Sequence, residues 1–119
     1  MGRPVMHFQI LAKDPARAER FYSQLFEWKV DAANPFGYRA IDTGSPRGIR
    51  GGIWPSPPEG HSFVQLFIEV EDVAAHVARA VELGARVIVP LTKLPQGEEL
   101  AILQDLEGVP FGLCTRAMK

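Results

Sequence analysis

Two polar side chains that open equivalent segments of an internal repeat are the first candidates for chemistry. His7 begins the segment 7–14, and Gln65 begins the segment 65–72. Each segment is an extended apolar run that reaches an Asp and then enters a helical pattern. An imidazole can bind a metal, transfer a proton or hydrogen-bond a ligand, whereas a neutral amide is a weak metal ligand. The main functional question is therefore whether His7 belongs to a metal site or is a polar group in a pocket.

The size and composition of the chain are those of one globular domain. It has 119 residues, 46% of them hydrophobic and 23% charged, with a formal net charge of -1. That balance, without a cluster of Lys or Arg, predicts no nucleic-acid partner. Cys114 is the only cysteine, which excludes an intrachain disulfide. No segment has the length of a signal peptide core or a membrane span, so we expect a soluble cytoplasmic protein with no membrane partner.

The hydrophobic periodicity predicts the order β-α-β-β-β twice, which is an α+β fold. Asp14 and Asp72 are predicted N-caps, and Gly84 is predicted to end the second helix. We expect one domain over residues 1–119, with modules at 1–57 and 61–119 and a Pro-rich linker at 55–60. The predicted strands are 5–12, 28–30, 38–42, 49–54, 63–70, 86–89, 100–104 and 109–115; the helices are 16–26 and 73–83, with a turn at 34–37 and a loop at 90–98.

The two copies can be aligned by residue number alone. His7 and Gln65 are 58 positions apart, as are Asp14 and Asp72. In the last strand of each copy the offset becomes 60, which matches Gly52 with Gly112. Repetition on this scale indicates two similar units, each too small to bury its own sheet face.

Several short segments in this order resemble the vicinal-oxygen-chelate superfamily, which includes glyoxalase I, bleomycin-resistance proteins and extradiol dioxygenases. The resemblance lies in residues 7–8, 14–18, 21–22, 25–26, 51–53, 70–73, 80, 83–85 and 105–108. It covers nearly the whole chain. It implies paired βαβββ modules whose sheets curl into a cup, with helices outside, a small-molecule ligand in the cup and a homodimer.

The same resemblance implies four positions that hold a divalent metal in metal-dependent members. Here they are His7 and Gln65 on the first strands and Gly52 and Gly112 on the last strands, so both carboxylate positions are glycine. Glu69 is a poor substitute because it lies about 13 Å along the strand from Gln65. We therefore expect no metal or other cofactor; the alternative is Zn, Ni, Mn or Fe held by an atypical shell that includes His7 and Gln65.

Strand phase predicts which side chains line the cup. His7 and Gln9 share one face of the first strand, with Phe8 and Ile10 on the opposite face. The predicted ligand-binding residues are His7, Gln9, Arg50, Gly52, Trp54, Gln65, Phe67 and Gly112, and a further aromatic contribution is considered from Trp28 or Tyr38. Two glycines remove side-chain bulk, which leaves room for a ligand or a close strand approach. Cys114 is interpreted as a small buried hydrophobe.

Three functions follow from these residues. The first is a metal-free protein that binds a small planar or aromatic molecule and is not an enzyme. The alternative is a metal-dependent lyase or dioxygenase of the glyoxalase type, or acid–base chemistry by His7, which would be the catalytic residue. The third is a structural or regulatory dimer whose cup holds no natural ligand.

Overall fold

Eight strands and two helices follow one another in the predicted order in the computed structural model, which describes residues 2–34, 37–95 and 97–116. The elements of the first copy are β1 (Val5–Ala12), α1 (Pro15–Phe26), β2 (Lys29–Asp31), β3 (Arg39–Asp42) and β4 (Arg50–Pro55). Those of the second are β5 (Phe63–Glu69), α2 (Val73–Glu82), β6 (Arg86–Lys93), β7 (Glu99–Gln104) and β8 (Pro110–Cys114). The α+β fold class is confirmed.

Contacts divide these residues into two units, 7–65 and 66–116 with 2–6. In the first unit the strands lie in the order β2-β3-β4-β1, with β1 parallel to β4 and the other pairs antiparallel. In the second unit the order is β5-β8-β7-β6, with β5 parallel to β8 and the other pairs antiparallel. Each unit therefore contains a mixed sheet with its first and last strands side by side.

The register of these parallel pairs agrees with the alignment of the copies. Gln9 lies opposite Gly52 in the first unit, and Phe67 lies opposite Gly112 in the second. Gln9 and Phe67 are 58 positions apart, whereas the two glycines are 60 apart. The two units thus repeat their strand pairing residue for residue at this position.

Each helix begins at its predicted cap. The Asp14 side chain accepts a hydrogen bond from the Arg17 backbone N–H at 3.1 Å, and Asp72 accepts one from Ala75 at 3.0 Å. Asp at this position satisfies backbone donors that the first turn leaves unpaired. Gly84, with φ +107, follows the last residues of α2, where a left-handed conformation favours glycine.

Each unit has its own apolar core. In the first, Ala12, Ile41 and Ile53 are buried, and Phe8, Ile10 and Trp28 pack against them. In the second, the buried residues are Val70, Val73, Ala101, Leu103 and Leu113. The core side of β1 therefore carries Phe8 and Ile10, as strand phase predicts, and leaves His7 and Gln9 for the other face.

The ends of the predicted elements agree with the structure to within one residue, except for the end of β6. The strand predicted to stop at Val89 runs through Pro90 to Lys93, where a loop was predicted. β6 is the last strand in its unit's order and has register shifts around Val89, so a residue without an N–H is tolerated there. Pro55, predicted to begin the linker, is the last residue of β4 and lies opposite Ala12.

The apolar side chains of α1 are only partly packed. Ala18 packs against the core and Tyr22 stacks on Trp28, with ring centroids 5.4 Å apart. Phe21, Leu25 and Phe26 remain more than half exposed. Helical spacing identifies the apolar face of this helix. It does not show which side chains on that face are buried within one copy of the chain. No helix in the described part of the chain has the length and hydropathy needed to cross a membrane.

Candidate functional site

The Tyr38 hydroxyl is the centre of a polar cluster in the first unit. His7 Nε2 lies 2.8 Å from Tyr38 Oη, and Tyr38 donates a hydrogen bond to Gln9 Oε1 at 3.1 Å. All three side chains are partly buried. The face of β1 predicted to line a binding site therefore carries a hydrogen-bonded His–Tyr–Gln group.

A short loop holds Tyr38 in place at the start of β3. The Asn34 side chain donates from Nδ2 to the Tyr38 carbonyl at 2.6 Å and accepts from the Tyr38 backbone N–H at 2.9 Å. Arg39, the next residue, pairs with Glu19 of α1 at 2.8 Å. The turn predicted at 34–37 includes residues 35 and 36, which lie outside the described residues. The flanking contacts fix the backbone from which the phenol projects.

The cluster is uncharged at neutral pH. Burial lowers the pKa of His7 below 6.5, and burial raises the pKa of the Tyr38 phenol well above its ordinary value of 10. A hydroxyl has one hydrogen, so a phenol that donates to Gln9 must accept from His7. This arrangement requires a proton on His7 Nε2. His7 is thus a hydrogen-bond donor within the cluster.

Gly52 is the residue that makes space for Tyr38. A Cβ atom at position 52 would collide with Tyr38 Oη and with the adjacent ring carbon. The Tyr38 phenol, from the same unit, therefore fills the space above Gly52. The sequence had predicted that this glycine leaves room for a ligand or lets two strands approach closely, and the structure shows a third use of the space.

Trp54 and Arg50 flank the cluster on β4. The Trp54 ring lies 5.7 Å from the Tyr38 ring, centroid to centroid, and the residue is 37% exposed. Arg50 lies opposite His7 in the strand register and is exposed. The accessible indole lies beside uncharged hydrogen-bonding groups, and Arg50 lies opposite His7 on the neighbouring strand, a combination suited to a planar molecule with an anionic substituent.

The second unit repeats the glycine arrangement with an apolar ring. A Cβ atom on Gly112 would collide with the ring of Phe67, which is 7% exposed. Gln65, in the first unit, is 5% exposed.

Cys114 is partly buried, and its Sγ lies 3.2 Å from Met6 Sδ. Burial, together with Glu98 and Glu69, raises the pKa of the Cys114 thiol to about 11. That thiol is a poor nucleophile at neutral pH.

The donor set does not fit a catalytic divalent metal of the kind that the resemblance implies. His7 and Gln65 supply one imidazole and one neutral amide, and Gly52 and Gly112 supply no side chain. Such a metal normally has about three protein ligands, often including a carboxylate. Among the described residues there is no group of three or more His, Cys, Asp and Glu placed to hold a metal. Glu69, the substitute that strand phase suggested, pairs with Arg116 at 3.1 Å.

Two surface hollows lie away from the cluster. One of about 360 Å³ is bordered by Ala12, Lys13, Asp14, Arg17, Ala18, Phe21 and Ser62, and one of about 230 Å³ by Ala80, Leu83, Ala85, Asp105, Leu106 and Phe111. Both are open, mostly apolar depressions. Neither hollow is lined by His7, Tyr38 or Trp54. The candidate site is therefore identified by its hydrogen-bonded polar side chains and not by the size of a cavity.

The sequence matches the profile of the glyoxalase-like domain family over residues 6–114. The chain belongs to this family. The glyoxalase-like domain is part of the vicinal-oxygen-chelate superfamily, so the resemblance noted from the sequence is confirmed. No curated protein matches the chain.

Solved structures share the fold of this glyoxalase-like domain at low sequence identity. A hypothetical protein from Bacillus halodurans matches with a TM-score of 0.71 and 15% identity, over 100% of this chain and 98% of that one. A Streptomyces coelicolor methylmalonyl-CoA epimerase in complex with 2-nitronate-propionyl-CoA matches with a TM-score of 0.63 and 19% identity, over 96% and 97%. A Legionella pneumophila protein described as an NAD-dependent benzaldehyde dehydrogenase matches with a TM-score of 0.67 and 19% identity, over 92% and 96%. These similarities establish the fold alone.

Acidification should destabilise this glyoxalase-like domain through His7. The pKa of His7 is lower in the folded state than in the unfolded chain, so below pH 6.5 the unfolded chain binds more protons. Stability is then lost as pH falls from 6.5 towards 5, by at most roughly 1.4 kcal/mol per pH unit. Urea unfolding of wild type and His7→Gln at pH 6.5 and pH 5 measures this loss of stability. The His7→Gln variant should lose less stability than wild type between the two pH values. An equal loss in both proteins would show that His7 does not cause it.

Proposed function

We propose that this glyoxalase-like domain binds a small planar organic molecule at the face formed by His7, Gln9, Tyr38 and Trp54, without a family-type metal centre. The observation that carries the proposal is the His7–Tyr38–Gln9 cluster beside a partly exposed indole. Such a cluster orients a ligand by hydrogen bonds, while an aromatic ring supplies most of the contact area.

The charges around this face favour an aromatic anion over an aromatic cation. The cluster is neutral, because burial lowers the pKa of His7 and raises that of Tyr38. Arg50 is the cation at the His7 end of β4, and no ion pair with a described residue occupies it. A guanidinium in that position can accept a carboxylate in two parallel hydrogen bonds. We therefore place the ring of the ligand against Trp54 and its acidic group towards Arg50.

The other three predicted ligand-binding residues, Gln65, Phe67 and Gly112, stay predictions. Gln65 belongs to the same unit and supplies a buried amide. Phe67 and Gly112 belong to the other unit, where the Phe67 ring occupies the space above Gly112. The homodimer and the cytoplasmic location are likewise predictions.

Tryptophan fluorescence tests this function directly. In a Trp28→Phe background Trp54 is the single indole, so quenching reports on the candidate face. We expect benzoate to bind with a dissociation constant of about 1 mM, a value typical of so small a ligand. Benzyl alcohol keeps the ring without the charge, and cyclohexanecarboxylate keeps the charge without a planar ring; each should bind roughly 5-fold to 10-fold more weakly.

Matched variants separate this face from general surface binding. Tyr38→Phe removes only the hydroxyl that holds the His7 and Gln9 side chains in place, so it should weaken benzoate binding about 5-fold to 10-fold. Arg50→Gln should weaken benzoate but not benzyl alcohol, whereas the exposed Arg47→Gln should change neither. Equal affinity in wild type, Tyr38→Phe and Arg50→Gln, or no quenching by any of the three probes, would overturn the proposal.

A further inference from the structure

The two hydrogen bonds of the polar cluster run in one direction, from His7 through Tyr38 to Gln9. His7 Nε2 donates to Tyr38 Oη at 2.8 Å, and the phenol donates its single hydrogen to Gln9 Oε1 at 3.1 Å. A primary amide accepts through its oxygen and donates through its nitrogen. Because the Gln9 oxygen lies towards the phenol, the Gln9 nitrogen points away from it.

The Gln9 amide nitrogen is an accessible donor. No acceptor in the described part of the chain lies within hydrogen-bond distance of Gln9 Nε2. Every fully buried side-chain nitrogen or oxygen atom in these half-buried and buried residues has a hydrogen-bond partner. Gln9 is half-buried, so a nitrogen without such a partner must reach the surface of the protein. Its N–H groups are therefore directed at a molecule that lies on this face.

The neighbouring polar groups on β4 are donors as well. Gln9 lies opposite Gly52, and Arg50 and Trp54 are each two positions from Gly52, roughly 6.6 Å along the strand. A guanidinium and an indole N–H donate hydrogen bonds and cannot accept them. The acceptor oxygen of the Gln9 amide is already bonded to Tyr38. Gln9, Arg50 and Trp54 thus offer a ligand hydrogen-bond donors, which suits a ligand that presents acceptor oxygens.

We propose that Gln9 is a specificity-determining residue of the ligand site, whose N–H group selects aromatic molecules with an acceptor oxygen next to the ring, such as a carboxylate, ketone or aldehyde. This inference rests on the proposed function and adds the group that the ligand must present. Tyr38 is the positioning residue, because without its hydroxyl the Gln9 amide can turn and present its oxygen. His7 acts through Tyr38, because its hydrogen bond leaves the phenol hydrogen directed at Gln9.

Two uncharged probes separate this selection from the effect of the Arg50 charge. Acetophenone carries a ketone oxygen and no donor, whereas aniline carries an amino group that donates. NMR titration of the isotope-labelled full-length protein, followed at the Trp54 indole N–H, gives a dissociation constant for each probe. Wild type should bind acetophenone about 5-fold more tightly than aniline, a difference typical of one neutral hydrogen bond.

Variants of Gln9 and Tyr38 should change this affinity ratio in different ways. Gln9→Met removes the amide and should bring the ratio close to 1. Gln9→Glu should invert it, since the carboxylate accepts from Tyr38 and offers the ligand a second acceptor. Tyr38→Phe frees the amide to turn, so the ratio should fall towards 1, but Tyr38→Phe added to Gln9→Met should lower it no further. Gln24→Met, the same substitution at an exposed position of α1, should keep the wild-type ratio.

The outcomes distinguish a failure of this inference from a failure of the proposed function. Circular dichroism and thermal melting establish that each variant folds, and if Gln9→Met does not fold, Gln9→Glu and Tyr38→Phe carry the test. If benzoate shifts the Trp54 resonance but wild type binds acetophenone and aniline equally, the inference is overturned and the proposed function stands. The same holds if the folded Gln9 variants keep the wild-type ratio. If neither benzoate nor acetophenone shifts the Trp54 resonance, both are overturned.

Discussion

Replacing Leu103 with alanine should lower the free energy of unfolding by about 3 kcal/mol, near the middle of the range for a fully buried leucine. Leu103 lies on β7, is 0% exposed and belongs to the core of the second unit. Truncation removes buried apolar surface and leaves a cavity that its neighbours on β8 and α2 can fill only partly. Urea denaturation at neutral pH, monitored by circular dichroism, measures the loss.

Leu106→Ala is the matched control for this prediction. It is the same substitution three residues away, in the turn between β7 and β8, where Leu106 is 74% exposed. The change in unfolding free energy should stay within about 0.5 kcal/mol, as for ordinary surface substitutions. Equal losses at the two positions would contradict the placement of the second unit's core.

Gly112→Ala should destabilise the domain by about 2 kcal/mol although it adds only a methyl group, within the range for overpacked cores. The new Cβ would collide with three carbons on one side of the Phe67 ring. Phe67 is 7% exposed, so the ring has little space into which it can move. Thermal and urea unfolding of the variant measure the cost.

Two comparisons separate this ring contact from a general effect of replacing glycine. Gly60→Ala, where the nearest neighbour of the added Cβ would be 3.4 Å away, should change the unfolding free energy by less than about 0.5 kcal/mol. Phe67→Leu removes the ring edge, so the combined loss in Gly112→Ala/Phe67→Leu should be smaller than the sum of the single losses by about 1 kcal/mol. If the loss in the double variant equals the sum of the two single losses, the Phe67 ring does not require a glycine at position 112.

Much of the fold follows from local sequence signals. Asp14 and Asp72 cap the helices as predicted, because a short acidic side chain satisfies backbone donors of the first turn. The numerical offset between Gly52 and Gly112 correctly predicted equivalent positions in the two copies. Strand phase also placed Phe8 and Ile10 on the core side of β1, since alternate side chains point to opposite faces.

The centre of the candidate site could not be predicted in this way. The sequence indicates Tyr38 only as a candidate aromatic residue of the ligand site, because nothing local shows that its hydroxyl reaches His7, 31 positions earlier. The available signal was a glycine at a sheet position where the family resemblance implies a carboxylate in metal-dependent members. A glycine shows that space is needed but does not identify the side chain that fills it. Pro90 is a similar case, since its place in a strand depends on the position of β6 in the sheet order.

The most direct test of the central claim is an NMR titration of the isotope-labelled domain with benzoate. The claim predicts that the largest chemical-shift changes occur at His7, Gln9, Tyr38, Gly52 and the Trp54 indole, and that Tyr38→Phe reduces them at equal benzoate concentration. Changes centred instead on Lys13, Arg17 and Phe21, which border the larger surface hollow, would contradict the claim. So would the absence of any change at concentrations well above the expected dissociation constant of about 1 mM.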